Sequence, residues 1–134
     1  MYFYDHMLKI KDLFLIDDDI DDHEIFESAL KDADSSIVCH TAINGLEAFQ
    51  KLLKGEVFPS VIFLDLNMPM MSGQDFLKQI KTHERLKSIP VIVFSTTSNK
   101  KIIEETKLLG AFKFFTKPNT FHELVDTLKA LLLL

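Results

Sequence analysis

LFLIDDDIDDHEIF, residues 13–26, sets four apolar side chains directly before five aspartates in six positions: Asp17, Asp18, Asp19, Asp21 and Asp22. A short continuous apolar run is the pattern of a strand buried on both faces, as in a parallel sheet. The charge that follows is costly. Two carboxylates about 4 Å apart repel by roughly 4 kcal/mol at an effective dielectric near 20. Either a cation offsets that repulsion or the acids splay into water. From about residue 21 to 31 the apolar residues Ile25, Phe26, Ala29 and Leu30 recur at helical spacing. The stretch therefore reads as strand, acidic turn, helix.

The same unit repeats outward along the chain. Ile37 to Ala42 predicts a second strand, more mixed and so nearer a sheet edge. Asn44 caps a helix whose buried face carries Leu46, Phe49, Leu52 and Leu53, and Gly55 closes it. Val61 to Leu64 is a third apolar run ending in Asp65. After the turn NMPMMSG, Phe76, Leu77 and Ile80 mark a third helix. Pro90 introduces the run Val91 to Phe94, followed by Ser95, Thr96, Thr97 and Ser98. A helix from about Asn99 to Leu109 stops at Gly110, and Ala111 to Phe115 is the fifth run. Thr120 and Glu123 form a capping box for the last helix.

Five strands alternating with five helices imply parallel pairing through right-handed crossovers, an α/β doubly wound sheet with helices on both faces. In such sheets the working site lies beyond the carboxyl ends of the strands, at the switch point of strand order. The residues at those ends are Asp17 and Asp18, Asp65, Ser95 and Lys117. Gathered carboxylates suit a hard divalent cation such as Mg²⁺, which prefers oxygen ligands and keeps several waters. Asp65 then reads as a nucleophile towards a phosphoryl group, Lys117 as a second positive charge and Ser95 as a hydroxyl donor. Asp19, Asp21 and Asp22 read instead as the solvated first turn of a helix, where negative charge suits the macrodipole.

Composition narrows the remaining classes. The 134 residues fit one domain, and 47% hydrophobic with 26% charged residues is a globular composition. A formal net charge of −5 argues against nucleic acid, which needs a basic face. The single cysteine, Cys39, excludes an internal disulfide and reads as a core residue. No apolar stretch approaches the roughly 20 residues of a membrane span, and the N-terminus has no signal-peptide core, so the expected compartment is the cytoplasm, away from membranes. Residues 1–10 read as an N-terminal extension and 11–134 as the domain. The histidines at 6, 23, 40, 83 and 122 show no metal spacing and read as surface residues. Leu131 to Leu134 cannot all face one side of a helix, so an exposed apolar end is expected there, suited to a contact with a second copy or a partner protein.

LFLIDDD at 13–19, VIFLDLNMPMMSG at 61–73, PVIVFSTTS at 90–98 and GAFKFFTKP at 110–118 together resemble the receiver domain of two-component response regulators, from about Lys11 onward. The resemblance implies a flavodoxin-like sheet of order 2-1-3-4-5 with five helices. It implies that Asp17 and Asp18 hold Mg²⁺ together with Asp65 and the backbone carbonyl of Asn67. It makes Asp65 the acceptor of a phosphoryl group from a sensor histidine kinase or phosphotransfer protein, Ser95 the switch hydroxyl, Lys117 the site lysine and Phe114 the rotating aromatic. The implied protein is a stand-alone response regulator, not an enzyme, that signals to a downstream protein and has homodimerisation as a further option. One departure is Thr96, where the family usually has a small residue, which implies narrower access to the phosphoryl group. Two alternatives share part of the pattern. A haloacid-dehalogenase-type phosphatase resembles D-x-D, whereas Asp65-Leu66-Asn67 carries an amide. A receiver-fold scaffold that is never phosphorylated would not need the full set of acids, hydroxyl and lysine.

Overall fold

Strand β1 (Asp12–Ile16) ends where the acidic turn begins, and helix α1 (Ile20–Ala33) follows. The computed structural model describes residues 10–132. The remaining elements are β2 (Val38–Ala42), α2 (Gly45–Leu53), β3 (Val61–Leu64), α3 (Gly73–Lys81), β4 (Val91–Ser95), α4 (Lys100–Leu108), β5 (Lys113–Thr116) and α5 (Phe121–Leu132). All five strands are parallel in the order 2-1-3-4-5, as the resemblance implied. The order reverses between β1 and β3. That pair runs in register from Leu13 opposite Val61 to Ile16 opposite Leu64, which brings Asp17 and Asp65 out at the same edge.

The central strands supply both cores, because alternate residues point to opposite sheet faces. Phe14, Ile16, Ile62 and Leu64 pack against Phe49 and Leu52 of α2 and Phe76, Leu77 and Ile80 of α3. Leu13, Leu15, Val61, Phe63, Ile92 and Phe94 pack against Phe26 and Leu30 of α1 and Leu124 and Leu128 of α5. Phe26 sits edge-on to Phe63 (5.3 Å between centroids) and to Phe94 (6.0 Å), which ties α1 to β3 and β4. Helix starts are capped by Asp19, Asn44, Ser72 and Asn99, each accepting a backbone N–H of the first turn. Thr120 Oγ1 does the same for Glu123 N at the start of α5. Gly55 and Gly110 adopt positive φ (72° and 104°) at helix ends, as expected of the residues that close α2 and α4.

Several expectations need correction. Ile25 is exposed, and its place on the inner face of α1 is taken by His23, which is buried rather than a surface histidine. Leu46 and Leu53 are also exposed, because α2 presents Gly45, Ala48, Phe49 and Leu52 to the core. The fifth strand begins at Lys113 rather than Ala111, and Phe112, which donates its N–H to Val91 O, stays exposed. Cys39 is half-buried against the α1/α5 core, and burial followed by Glu27 pushes its thiol up to about 12. Leu131 is buried and Leu132 half-buried; the expected exposed end at Leu133 and Leu134 lies outside the described residues, as do positions 1–9 of the expected extension. No helix among the described residues is long and apolar enough to cross a membrane.

Candidate functional site

Backbone pairing fixes the two central acids. Asp17 N donates to Ala42 O (3.1 Å) and Asp65 N donates to Ile16 O (2.9 Å), so both residues extend the sheet ladder by one step. Both residues are buried, at 2% and 8% exposure, although each bears a carboxyl group. Asp18 is exposed beside them. Asp17, Asp18 and Asp65 offer carboxylate oxygens that all lie within 4.8 Å of one another. Lys117 arrives from the far end of the chain. Its Nζ donates to Asp17 Oδ2 (2.8 Å) and Asp22 Oδ2 (3.1 Å) and stands 3.9 Å from Asp65 Oδ1.

The charges are unequally satisfied. Burial raises the Asp65 carboxyl to about 6; Lys117 opposes the shift, while Asp17 and Asp18 add to it. Burial works against the Lys117 ammonium too, but the hydrogen bond and charge of Asp17, with Asp65 and Asp22, outweigh it and hold its pKa above the ordinary lysine range. One lysine therefore does not neutralise the acids around it. Three hard oxygen donors, two buried and one open to water, fit an oxygen-preferring divalent cation such as Mg²⁺.

Ser95 lies at the end of β4 and is fully buried; its Oγ accepts from Thr97 N (3.3 Å) and its carbonyl accepts from Lys117 N (2.7 Å). Thr96 is exposed next to it, and Asn67 is exposed two residues beyond Asp65. Phe114 is half-buried on β5, in register with Val93 rather than Ser95. The sheet thus brings Asp17, Asp18, Asp65 and Lys117 together, with Ser95 joined to them through the Lys117 backbone.

Three residues of the site were not singled out from the sequence. His23 Nε2 lies 2.6 Å from the carbonyl of Asp17; since a carbonyl only accepts, the ring holds its proton on Nε2. Asp22, expected in solvent, is half-buried against Lys117. Gly73 opens α3 so close to the phosphoacceptor candidate that a Cβ there would stand 2.6 Å from Asp65 O and 2.7 Å from Leu66 Cα. Its N–H donates to Leu66 O (3.0 Å), which pins the loop. The only sequence signal for Gly73 was its position closing NMPMMSG; His23 and Asp22 carried none.

A flavodoxin-like parallel sheet with an acid triad and a lysine at its carboxyl edge defines a receiver-type α/β protein. The chain belongs to the response regulator receiver domain family, whose model matches residues 13–129. PilG of Pseudomonas aeruginosa is 30% identical over 118 residues, 88% of this chain and 84% of PilG. A protein-glutamate methylesterase/protein-glutamine glutaminase of Clostridium acetobutylicum is 40% identical over 120 residues, 88% of this chain. The chain spans about a third of the length of such methylesterases (33% and 30% for the Clostridium acetobutylicum and Methanococcoides burtonii proteins), so the reaction in their name is not carried over. Among solved structures, the phosphorylated cyanobacterial phytochrome response regulator RcpA superposes with a TM-score of 0.82 at 30% identity, covering 90% of this chain and 89% of that one. Family membership sets the dehalogenase-type alternative aside.

Proposed function

We propose that the chain is a phosphoryl-accepting signalling domain, with Asp65 as the acceptor and a histidine kinase or phosphotransfer protein as the donor. The observation that carries this reading is the buried Asp65 carboxylate, grouped with Asp17 and Asp18 and 3.9 Å from the Lys117 ammonium. In the transfer, an Asp65 oxygen forms a bond to phosphorus while the bond from phosphorus to the donor's histidine nitrogen breaks and the nitrogen keeps the electron pair. Asp17, Asp18, Asp65 and the backbone carbonyl of Asn67 are the groups that would hold Mg²⁺. Bound there, the ion supplies positive charge against the phosphoryl oxygens. Lys117 supplies a second charge, and the Ser95 hydroxyl, already at the end of its strand, donates to a phosphoryl oxygen.

The output is a surface rather than a reaction. A phosphoryl group carries close to −2 charge near neutral pH and strong acceptor oxygens, and so draws Ser95 and Lys117 inward. The space that Ser95 vacates is taken by Phe114, which alters the face formed by α4, β5 and α5. That face is where a downstream protein or a second copy of the chain would bind. The phosphorylated state of RcpA supports the reading by similarity.

The test is direct. Incubation with Mg²⁺ and acetyl phosphate adds one phosphate by intact mass, and Asp65→Asn abolishes the addition. A single phosphate persisting in Asp65→Asn and mapping elsewhere overturns the assignment. Amide exchange with and without beryllofluoride then reads the switch, which predicts a change across residues 95–118.

A further inference from the structure

We propose that Asp22 is a positioning residue that holds Lys117 on the α1 side of the pocket and so slows phosphoryl transfer to Asp65; the inference rests on Asp65 being the acceptor. The Lys117 ammonium donates hydrogen bonds to two acids, Asp17 at 2.8 Å and Asp22 at 3.1 Å, and only approaches Asp65, at 3.9 Å. Asp17 belongs to the acid triad. Asp22 does not, and it reaches the lysine from a different element. Its backbone is fixed, because Asp22 N donates to the Asp19 cap (3.3 Å) and the helix is anchored one turn later by Phe26. In this proposal Lys117 lengthens its contact with the Asp22 carboxylate as it moves toward a phosphoryl group on Asp65.

The contact is built to be broken. The Asp22 side chain is 40% exposed against 17% for Lys117, and both border a cleft of about 310 Å³ between α1 and α5. Water there can take over the carboxylate once the lysine leaves. An ion pair with one exposed partner shifts an equilibrium by roughly 1.5- to 5-fold. That is the size of a rate-tuning device, and it sits on the lysine that stands 3.9 Å from Asp65.

The experiment uses the full chain at saturating Mg²⁺ and varies acetyl phosphate. In each turnover an Asp65 oxygen bonds phosphorus as acetate leaves with the electron pair of the broken P–O bond. Asp22→Asn and Asp22→Ser are compared with wild type by intact mass over time, with circular dichroism confirming that each is folded. The expected result is a rise of roughly 2- to 5-fold in the rate at saturating donor, with little change in the donor concentration for half-saturation. In a Lys117→Ala background, Asp22→Asn changes nothing, as coupling through the lysine requires. An unchanged or slower rate in both Asp22 variants overturns the proposal, and so does an equal acceleration without Lys117. A gain confined to half-saturation also overturns it, since that outcome means the carboxylate repels the donor instead of holding the lysine. Failure of wild type to take up phosphate on Asp65 is a different result and sinks the acceptor reading itself.

Discussion

Helices α3 and α4 are both nine residues long, and each follows a strand with a site residue at its end, Asp65 just beyond β3 and Ser95 closing β4. They are attached very differently. Helix α3 buries Gly73, Phe76, Leu77 and Ile80, and its first residue touches the backbone of Asp65. Helix α4 buries only Thr106 and leaves Leu108 at 87% exposure. The element behind Asp65 is clamped, and the element behind Ser95 lies loosely on the sheet. A group held still suits chemistry, and a helix with few buried apolar contacts suits a conformational response.

The sharpest way to break this contrast is to unclamp α3. Phe76→Ala should destabilise the fold by about 3–5 kcal/mol in urea melts, because the ring is fully buried in the α2/α3 core. A cost near zero would mean that α3 is no better anchored than α4. Next in size is the charge that the clamp imposes on Asp65. Its folded-state pKa, about 6, stands above the ordinary 3.8, so the folded protein binds the proton more tightly than the unfolded chain does. This contribution therefore lowers stability as pH rises from about 4 to 6, by up to roughly 2–3 kcal/mol. Asp65→Asn should flatten that slope in metal-free thermal melts and raise the melting temperature at pH 7. An identical slope in the variant would place the destabilising charge elsewhere.

A smaller effect is expected from Gly73→Ala, about 1–3 kcal/mol of overpacking strain against Asp65 O and Leu66 Cα. If Asp65 is the acceptor, the phosphorylation rate should fall further than the stability, since the added methyl displaces the Asp65 backbone. Equal losses would make Gly73 a packing residue alone. The least effect is expected on α4, where Leu108→Ala should change stability by no more than about 0.5 kcal/mol. A larger loss would show that α4 is held by contacts other than those to the sheet.

Most of the architecture was legible because apolar runs and helical spacing report burial directly. Asp17, Asp18, Asp65, Ser95 and Lys117 were legible for a further reason: each lies immediately beyond such a run, and a parallel sheet gathers those ends. What escaped depends on how a helix is rotated about its axis. On α1, hydrophobicity favours Ile25 for the inner face, yet His23 takes it because the Asp17 carbonyl gives its ring a partner there. The same rotation brings Asp22 to Lys117. On α2 the small residues Gly45 and Ala48 face inward, and Leu46 and Leu53, larger and more apolar, do not. Periodicity marks a face only when the largest residues lie on it. The start of β5 was misplaced for a related reason, since Ala111 and Phe112 are apolar but lie before the first ladder pair, which joins Lys113 to Ile92.

The ion pair between Lys117 and Asp17 joins residues 100 positions apart. Contacts of such separation are slow to form, because most of the intervening chain must be ordered first. During synthesis Asp17 and Asp65, just beyond β1 and β3, leave the ribosome long before the lysine that partly balances them. A nascent or truncated chain ending before Lys117 carries Asp17 and Asp65 without that ammonium. The charge set is thus completed only late in synthesis, with just the last helix, α5, still to be added to the α1 side of the sheet.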